Sequence, residues 1–390
     1  MTSDSLRRSS CVPVAGHSYR WRRFLPWVAF FLVIITVQFY AIAVKDFGFL
    51  NTLQSLTTNK HRKTVGSGPL HVLLIAYART GSSFLGDLLQ SLPGTFYYFE
   101  PLHFLSNPVL NSSFHEARSL LDKIFHCNVS KIQGFLIWQK RHDKYMKLKR
   151  SFEYWKACSK FKTCYNGSYI DAYCRNHTTL IAKTIRLNLK EASKLFDTHP
   201  ELNLKIIYLT RDPRGTLNSR MKFPVAAWCN KDPMCSSPKH FCLSLNEDLD
   251  TICSLSSKRP DDFAVVRYED LAMDPFGVAN HLVKFLGLPS MPIEMEVFLN
   301  THTSVTGNVK EISQAQGVEY PYSTFRNSSI TAMSWRKEME FQHLTELQNI
   351  CQRVLTGLGY YSYSNLAALR SNVNFDIDLP TSLSTVCNLR

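Results

Sequence analysis

The chain has 390 residues, 45% of them hydrophobic, enough to bury an ample core as one large domain or two small ones. Its formal net charge of +14 points to an acidic partner. No repeat or low-complexity segment appears, which excludes solenoid and fibrous architectures.

Phe24 to Val44 is a run of 21 residues without a charge, long enough to cross a bilayer as a helix and too long for a signal-peptide core. Arg7, Arg8, Arg20, Arg22 and Arg23 precede it, whereas Lys45 and Asp46 cancel just after. The positive-inside bias therefore predicts a cytosolic tail at 1–23, a signal-anchor helix at 24–44, a stem at 45–68 and a lumenal domain at 69–390. That is a single-pass type II membrane protein. Two features agree with this side. Sequons stand at Asn111, Asn128, Asn166, Asn176 and Asn327, all free of proline and all candidates for glycosylation. Setting Cys11 aside leaves ten cysteines, an even number without a CxxC pair, which argues against zinc and for local disulfides in two loop regions. A lumenal compartment excludes nucleic acid. Nucleotide phosphates, sulfated glycans and anionic membrane surfaces remain as the acidic partner.

The first strand is expected at Leu70–Ala76, a short apolar run of the kind buried on both faces. Ala78, Arg79, Thr80, Gly81, Ser82 and Ser83 follow, and then Phe84, Leu85, Leu88, Leu89 and Leu92 recur at helical spacing. Strand, small-residue turn and helix together aim backbone N–H groups at an anion. The stretch is like a phosphate loop but lacks the G-K-[ST] of nucleoside triphosphatases, and its cation, Arg79, lies before the glycine. Phe96–Phe99 reads as a second strand beside the first, ending at Glu100-Pro101. Residues 107–178 read as helices and surface loops inserted between strands. Leu180–Ala182 before Lys183, Leu204–Thr210 and Phe263–Arg267 complete the set, with helical stretches at Leu187–Phe196 and Val278–Leu286. Alternating strands and helices predict an α/β fold with a parallel sheet and its ligands at the carboxyl ends of the strands.

A second signal begins where the fourth strand ends. Arg211 is followed by Asp212, a cap for the next helix, and by Pro213, which suits its first turn. Arg214, Gly215, Thr216, Leu217, Asn218 and Ser219 carry the segment on to Arg220. A phosphate here can take Arg211 as a fork and Ser219 as a hydroxyl donor. A structural Arg211–Asp212 ion pair is the bland alternative.

The two signals together resemble the Golgi carbohydrate sulfotransferases, in particular the galactose/N-acetylgalactosamine/N-acetylglucosamine 6-O-sulfotransferase family. The matching pieces are Arg79-Thr-Gly-Ser-Ser-Phe84, Phe99-Glu-Pro101, Arg211-Asp-Pro-Arg214 with Ser219, Arg267-Tyr-Glu-Asp-Leu271 and Ser334-Trp-Arg336, in the family's order. The resemblance implies a P-loop-like parallel sheet flanked by helices and 3′-phosphoadenosine 5′-phosphosulfate (PAPS) as donor. It places the 5′-phosphosulfate on the first loop and the 3′-phosphate on the Arg211–Ser219 segment. It implies a glycan or proteoglycan acceptor and residence in the Golgi membrane. At Ala78 and Thr80 the family usually has Trp and Ser, a departure that bears on specificity rather than activity.

Sulfuryl transfer needs in-line positioning and charge stabilisation more than covalent help. Arg79 is the candidate to neutralise charge on the leaving 5′-phosphate, helped by the N–H groups of Gly81 to Phe84. A metal is not required. Glu100 matches the glutamate that the family's E-P pair offers as general base, and His103 is the alternate. Arg186, Arg326, Trp335 and Arg336 are further donor-site candidates, the tryptophan by stacking on adenine. Tyr320-Pro-Tyr322 is placed near the sugar by composition alone. The basic run from Lys140 to Arg150 reads as a solvated face rather than a glycan site. A metal-dependent glycosyltransferase would need a D-x-D motif. Asp248-Leu-Asp250 in a cysteine-rich, loop-like stretch and Asp376-Ile-Asp378 in the tail match only its letters.

Overall fold

The computed structural model describes residues 68–105, 114–132, 134–142, 148–222, 224–303 and 323–371. The expected tail, membrane span and stem, Asn111, Tyr320 to Tyr322 and Asp376 to Asp378 lie outside the described residues. Among those described, no helix is long and apolar enough to cross a membrane.

Among the described residues, five parallel strands form one sheet in the order β2-β3-β1-β4-β5. They are β1 Leu70–Ala76, β2 Thr95–Phe99, β3 Thr179–Thr184, β4 Asn203–Thr210 and β5 Phe263–Arg267. The centre of the sheet is β1, as its apolar run requires. Leu73 and Ile75 enter the core on one face, and Val72, Leu74 and Ala76 the core on the other. Among the described residues, helices pack around the sheet, including α1 Ser82–Gln90, α2 Phe114–Phe125, α3 Pro213–Arg220, α4 Pro238–Lys258, α5 Tyr268–Met273, α6 Ile293–His302 and α7 Ser328–Met333. Leu85, Leu88 and Leu89 of α1 pack into the second core, which puts the helix start at the carboxyl end of β1.

Several expectations are corrected. Glu100 does not end a strand beside β1, because β3 inserts between β1 and β2. Leu187–Phe196 resolves into two short helices, Leu189–Ser193 and Leu195–Thr198. The helix expected from Val278 starts at Pro275, where the Asp274 carboxylate accepts from Gly277 N. Asp248-Leu-Asp250 is helical, within α4, rather than a loop. Arg150 is buried against Asp87 rather than solvated. Of the disulfides, Cys158–Cys164 and Cys229–Cys235 are local, but Cys127–Cys174 and Cys242–Cys351 span 47 and 109 residues. Cys253 is disulfide-bonded as well. The long pairs arise because helices distant in sequence stack on one core, a relation that spacing does not reveal.

Candidate active site

The turn after β1 is built by tethering. Thr80 donates its hydroxyl to the Tyr77 carbonyl at 2.8 Å, and Arg220 Nε donates to the Ala78 carbonyl at 3.1 Å. Arg79 sits at φ 71°, a left-handed conformation uncommon for a side-chain-bearing residue and frequent at functional sites. Gly81 follows at φ 91° and heads α1 without a side-chain cap, so the first N–H groups of the helix are available to an anion. A Cβ on Gly81 would lie 2.3 Å from Cδ2 of Tyr268. Only glycine fits.

The second segment meets this turn directly. Arg79 Nε donates to the Ser219 hydroxyl at 3.1 Å, and Arg211 Nη1 donates to the Arg79 carbonyl at 3.0 Å. The Arg211 guanidinium lies over the Tyr268 ring at 4.7 Å. On α3, Gly215 admits the Trp335 indole, whose Cδ1 would be 2.7 Å from an added Cβ.

Between these elements is a cavity of about 210 Å³. Its described lining includes Arg79, Gly81, Ser82, Ser83 and Phe84 from the first signal and Arg211, Gly215, Asn218 and Ser219 from the second. Lys222, Tyr268, Arg326 and Trp335 complete the charged and aromatic part, and no carboxylate is among the described lining residues. Two buried donors on this wall, Arg211 Nε and Trp335 Nε1, have no hydrogen-bond partner among the described residues. Buried donors are normally satisfied, so a ligand with acceptor oxygens is what this wall fits.

Other expected donor residues are placed differently. Asp212 caps α3 through Arg214 N at 2.9 Å and holds the Arg214 guanidinium with both carboxylate oxygens, at 3.0 and 2.7 Å. Arg214 also donates to Gln348 and to the Tyr361 carbonyl, and lies 5.1 Å from both the Trp335 and Tyr363 rings. Its role is to lock α3 to the helices behind it. Arg336 donates to the carbonyls of Leu369, Ala368 and Ser371, so it braces the chain near 370 instead of facing the cavity. Pro213, Thr216 and Leu217 are buried within α3, and Ala78 and Thr80 shape the turn without lining the cavity. Trp335 lines the cavity and its ring covers the Arg214 guanidinium. Among the sequons, Asn166 and Asn327 cap helices by accepting from Tyr169 N and Ile330 N, and Asn166 and Asn176 are exposed. Asn128 is half-buried.

Glu100 is buried, at φ 52°, and its two oxygens meet Lys183 and Arg186, the latter at 2.7 Å. It stands apart from the cavity lining but at the same carboxyl end of the sheet. His103 N donates to the Glu100 carbonyl, and its ring meets Trp138 edge-on at 5.2 Å. Burial draws the Lys183 ammonium below its ordinary pKa, with Glu100 opposing the shift.

Sequence reasoning missed the supports beneath the site. Glu269 accepts from Asp212 N at 3.1 Å and from the Tyr360 hydroxyl at 2.9 Å, and burial pushes its pKa up to about 7. Asp248 accepts from the hydroxyls of Tyr77 and Tyr208 and from Leu189 N, and burial raises it to about 6. Its oxygens are thus committed to the fold, which removes the D-x-D reading at this position. Burial also lowers Arg220 to about 9. Lys183 had a visible signal, a lysine at the end of an apolar strand. Tyr268 and Glu269 lay inside a matched motif but were given no role.

Comparison with known proteins agrees with this geometry. The sequence profile of the sulfotransferase domain matches residues 69–359. Carbohydrate sulfotransferase 1 of Danio rerio is 28% identical over 357 residues, covering 80% of this chain and 81% of the relative. Carbohydrate sulfotransferase 6 of Homo sapiens is 27% identical over 360 residues, covering 82% and 87%. Among solved structures, the sulfotransferase domain from the curacin biosynthetic pathway aligns over 76% of this chain and 100% of that one, at 20% identity and a TM-score of 0.45. A profile match over most of the chain, on the residues that build the cavity, makes this protein a member of the sulfotransferase-domain family, and the curated relatives it matches are carbohydrate sulfotransferases.

Proposed function

We propose that the protein transfers a sulfuryl group from PAPS to the 6-hydroxyl of an N-acetylglucosamine, galactose or N-acetylgalactosamine residue in a glycan or glycosaminoglycan chain. The observation that carries this reading is the meeting of two signals 132 residues apart, Arg211 on the Arg79 carbonyl, around one basic cavity. Carbohydrate sulfation is what the names of the relatives supply.

PAPS supplies an activated sulfuryl group and two anionic termini. The uncapped start of α1, with Ser82 and Ser83, holds one terminus, and Arg79 offsets charge on the leaving phosphate. Arg211, Ser219 and the Trp335 N–H hold the other. Tyr268, fixed by Gly81 on one side and Arg211 on the other, keeps the two ends at a set distance. Glu100 accepts the proton of the acceptor hydroxyl. Lys183 and Arg186 hold its two oxygens and fix its direction.

The same reading puts the domain in the Golgi lumen, anchored by residues 24–44. Charge bias at the span and the sequons support this, as do disulfides, which persist in oxidising compartments. Labelled PAPS and a panel of defined glycans, incubated with the full chain with and without chelator, test the activity. Chelator-resistant sulfation at the 6-position is expected, and absence of donor binding overturns the proposal.

A further inference from the structure

At the other end of β4 from Arg211, two histidines and two carboxylates converge where sequence patterning marked nothing. Asp122 is in the last turn of α2 and His126 follows that helix, while His199 and Glu201 occupy the turn that leads into β4. His199 Nδ1 is 3.2 Å from Asp122 Oδ1 and 3.2 Å from Glu201 Oε1. His126 Nε2 is 3.4 Å from the same Glu201 oxygen. None of the four lines the anion cavity.

These spacings have a chemical meaning. Metal–ligand bonds of about 2.0–2.1 Å at the tetrahedral angle put ligand atoms roughly 3.3 Å apart. Both edges from His199 match that length. His126 backs these ligands: its Nδ1 lies 2.8 Å from Asp122 Oδ1 and 3.0 Å from the Asp122 backbone carbonyl, and its Nε2 faces Glu201 Oε1 at 3.4 Å. The two carboxylates lie close enough to share one ion, with ligand atoms of Asp122, His199 and Glu201 all within 4.8 Å of one another. Among the described residues both carboxylates pair only with these histidines, so no lysine or arginine offsets their charge.

We propose that Asp122, His199 and Glu201, with His126 packed against both carboxylates, form a divalent-metal site of the zinc class that ties the end of α2 to the turn before β4. Imidazole nitrogens with carboxylate oxygens suit zinc and disfavour magnesium and calcium, which take all-oxygen sets. The argument against zinc from cysteine spacing does not touch this cluster, which contains no cysteine. The site is structural: it joins two segments far apart in sequence, and zinc bound to the folded state alone stabilises that state by mass action.

The test uses the full-length protein, stripped with a chelator and titrated with zinc chloride by calorimetry while its thermal midpoint is followed. About one equivalent is expected to bind and raise the midpoint, and cobalt chloride in its place should give the visible bands of a four-coordinate ion. His126→Ala/His199→Ala should weaken zinc binding at least tenfold, whereas His240→Ala and His343→Ala, elsewhere on the surface, should leave it unchanged. No rise in the wild-type midpoint, or zinc binding indifferent to the double substitution, overturns the proposal. Should the double variant melt early without metal, Glu201→Gln on its exposed turn decides the matter: undiminished zinc affinity there overturns the site.

Discussion

Arg211 donates from Nη1 to the backbone carbonyl of Arg79 at 3.0 Å, while Arg79 Nε donates to the Ser219 hydroxyl at 3.1 Å. Each signal thus holds the other in place. If an anionic donor lies between them as proposed, the cation at one end is set by the segment at the other, so disturbing either loop should disturb both.

Replacing Arg211 with alanine should weaken binding of PAPS or its product by at least tenfold, since a charge-assisted contact is worth about 1.5–3 kcal/mol. Calorimetry on the purified protein reads this, with the thermal midpoint as a check on folding. Arg336→Ala is the contrast. Its guanidinium serves three carbonyls near residue 370, so stability should fall while the affinity of the folded protein stays within a few-fold. Equal affinity in Arg211→Ala and wild type would remove the segment from the donor site.

Gly81→Ala should damage both fold and binding. A Cβ there falls 2.3 Å from the Tyr268 ring, at a φ of 91° that side chains rarely adopt. Strain at such positions costs on the order of 1–3 kcal/mol, and overpacking adds a similar amount. Thermal melts and donor titration should both show the loss. A variant as stable as wild type would mean that the turn rearranges freely.

Much of the frame was legible in the residues. An apolar run such as Leu70–Ala76 has one way to be buried, and Asp212-Pro213 announces a helix start, so strands and caps fell close to their expected places. Strand order was not legible, because nothing local to Phe96–Phe99 states that β3 will intervene. For the same reason Arg214 and Arg336 read as donor-site residues. A motif shows that an arginine is needed, but only packing shows whether it faces a cavity or, like Arg214, an aspartate and two aromatic rings. Asp248 and Glu269 were invisible because their partners are hydroxyls and N–H groups remote in sequence.

Stability should carry the mark of Glu269. Burial raises its pKa from the ordinary 4.5 to about 7, so the folded state holds a proton that the unfolded chain releases near pH 4.5. With more protons bound in the native state, stability falls as pH rises between those values and levels off above about 7. Glu269→Gln removes the titrating group and should flatten that part of the profile by about 1–3 kcal/mol. The variant should be weaker overall, because its amide N–H faces either the Asp212 N–H or the Tyr360 hydroxyl. Urea unfolding at pH 5 and pH 8 measures the difference, and an unchanged slope would show that Glu269 is ionised throughout.

The decisive substitution for chemistry is Glu100→Gln. Glutamine keeps the shape and one acceptor oxygen but takes no proton from a sugar hydroxyl at neutral pH. If Glu100 is the base, turnover should fall by roughly 10²–10⁴-fold with donor affinity nearly unchanged. The surroundings demand a control, because the change leaves buried Lys183 without its carboxylate, and breaking a buried ion pair costs about 3–5 kcal/mol. Lys183→Met with Glu100→Gln removes both charges together and should restore stability without restoring turnover. A merely structural Glu100 would behave in the opposite way, with rate returning as the fold recovers. Arg186→Ala separates the two roles further. It takes away the partner at 2.7 Å and leaves the carboxylate, so it should reduce turnover far less than Glu100→Gln. Turnover of well-folded Glu100→Gln within a few-fold of wild type would move the base elsewhere. His103, whose N–H donates to the Glu100 carbonyl, is then the next residue to replace.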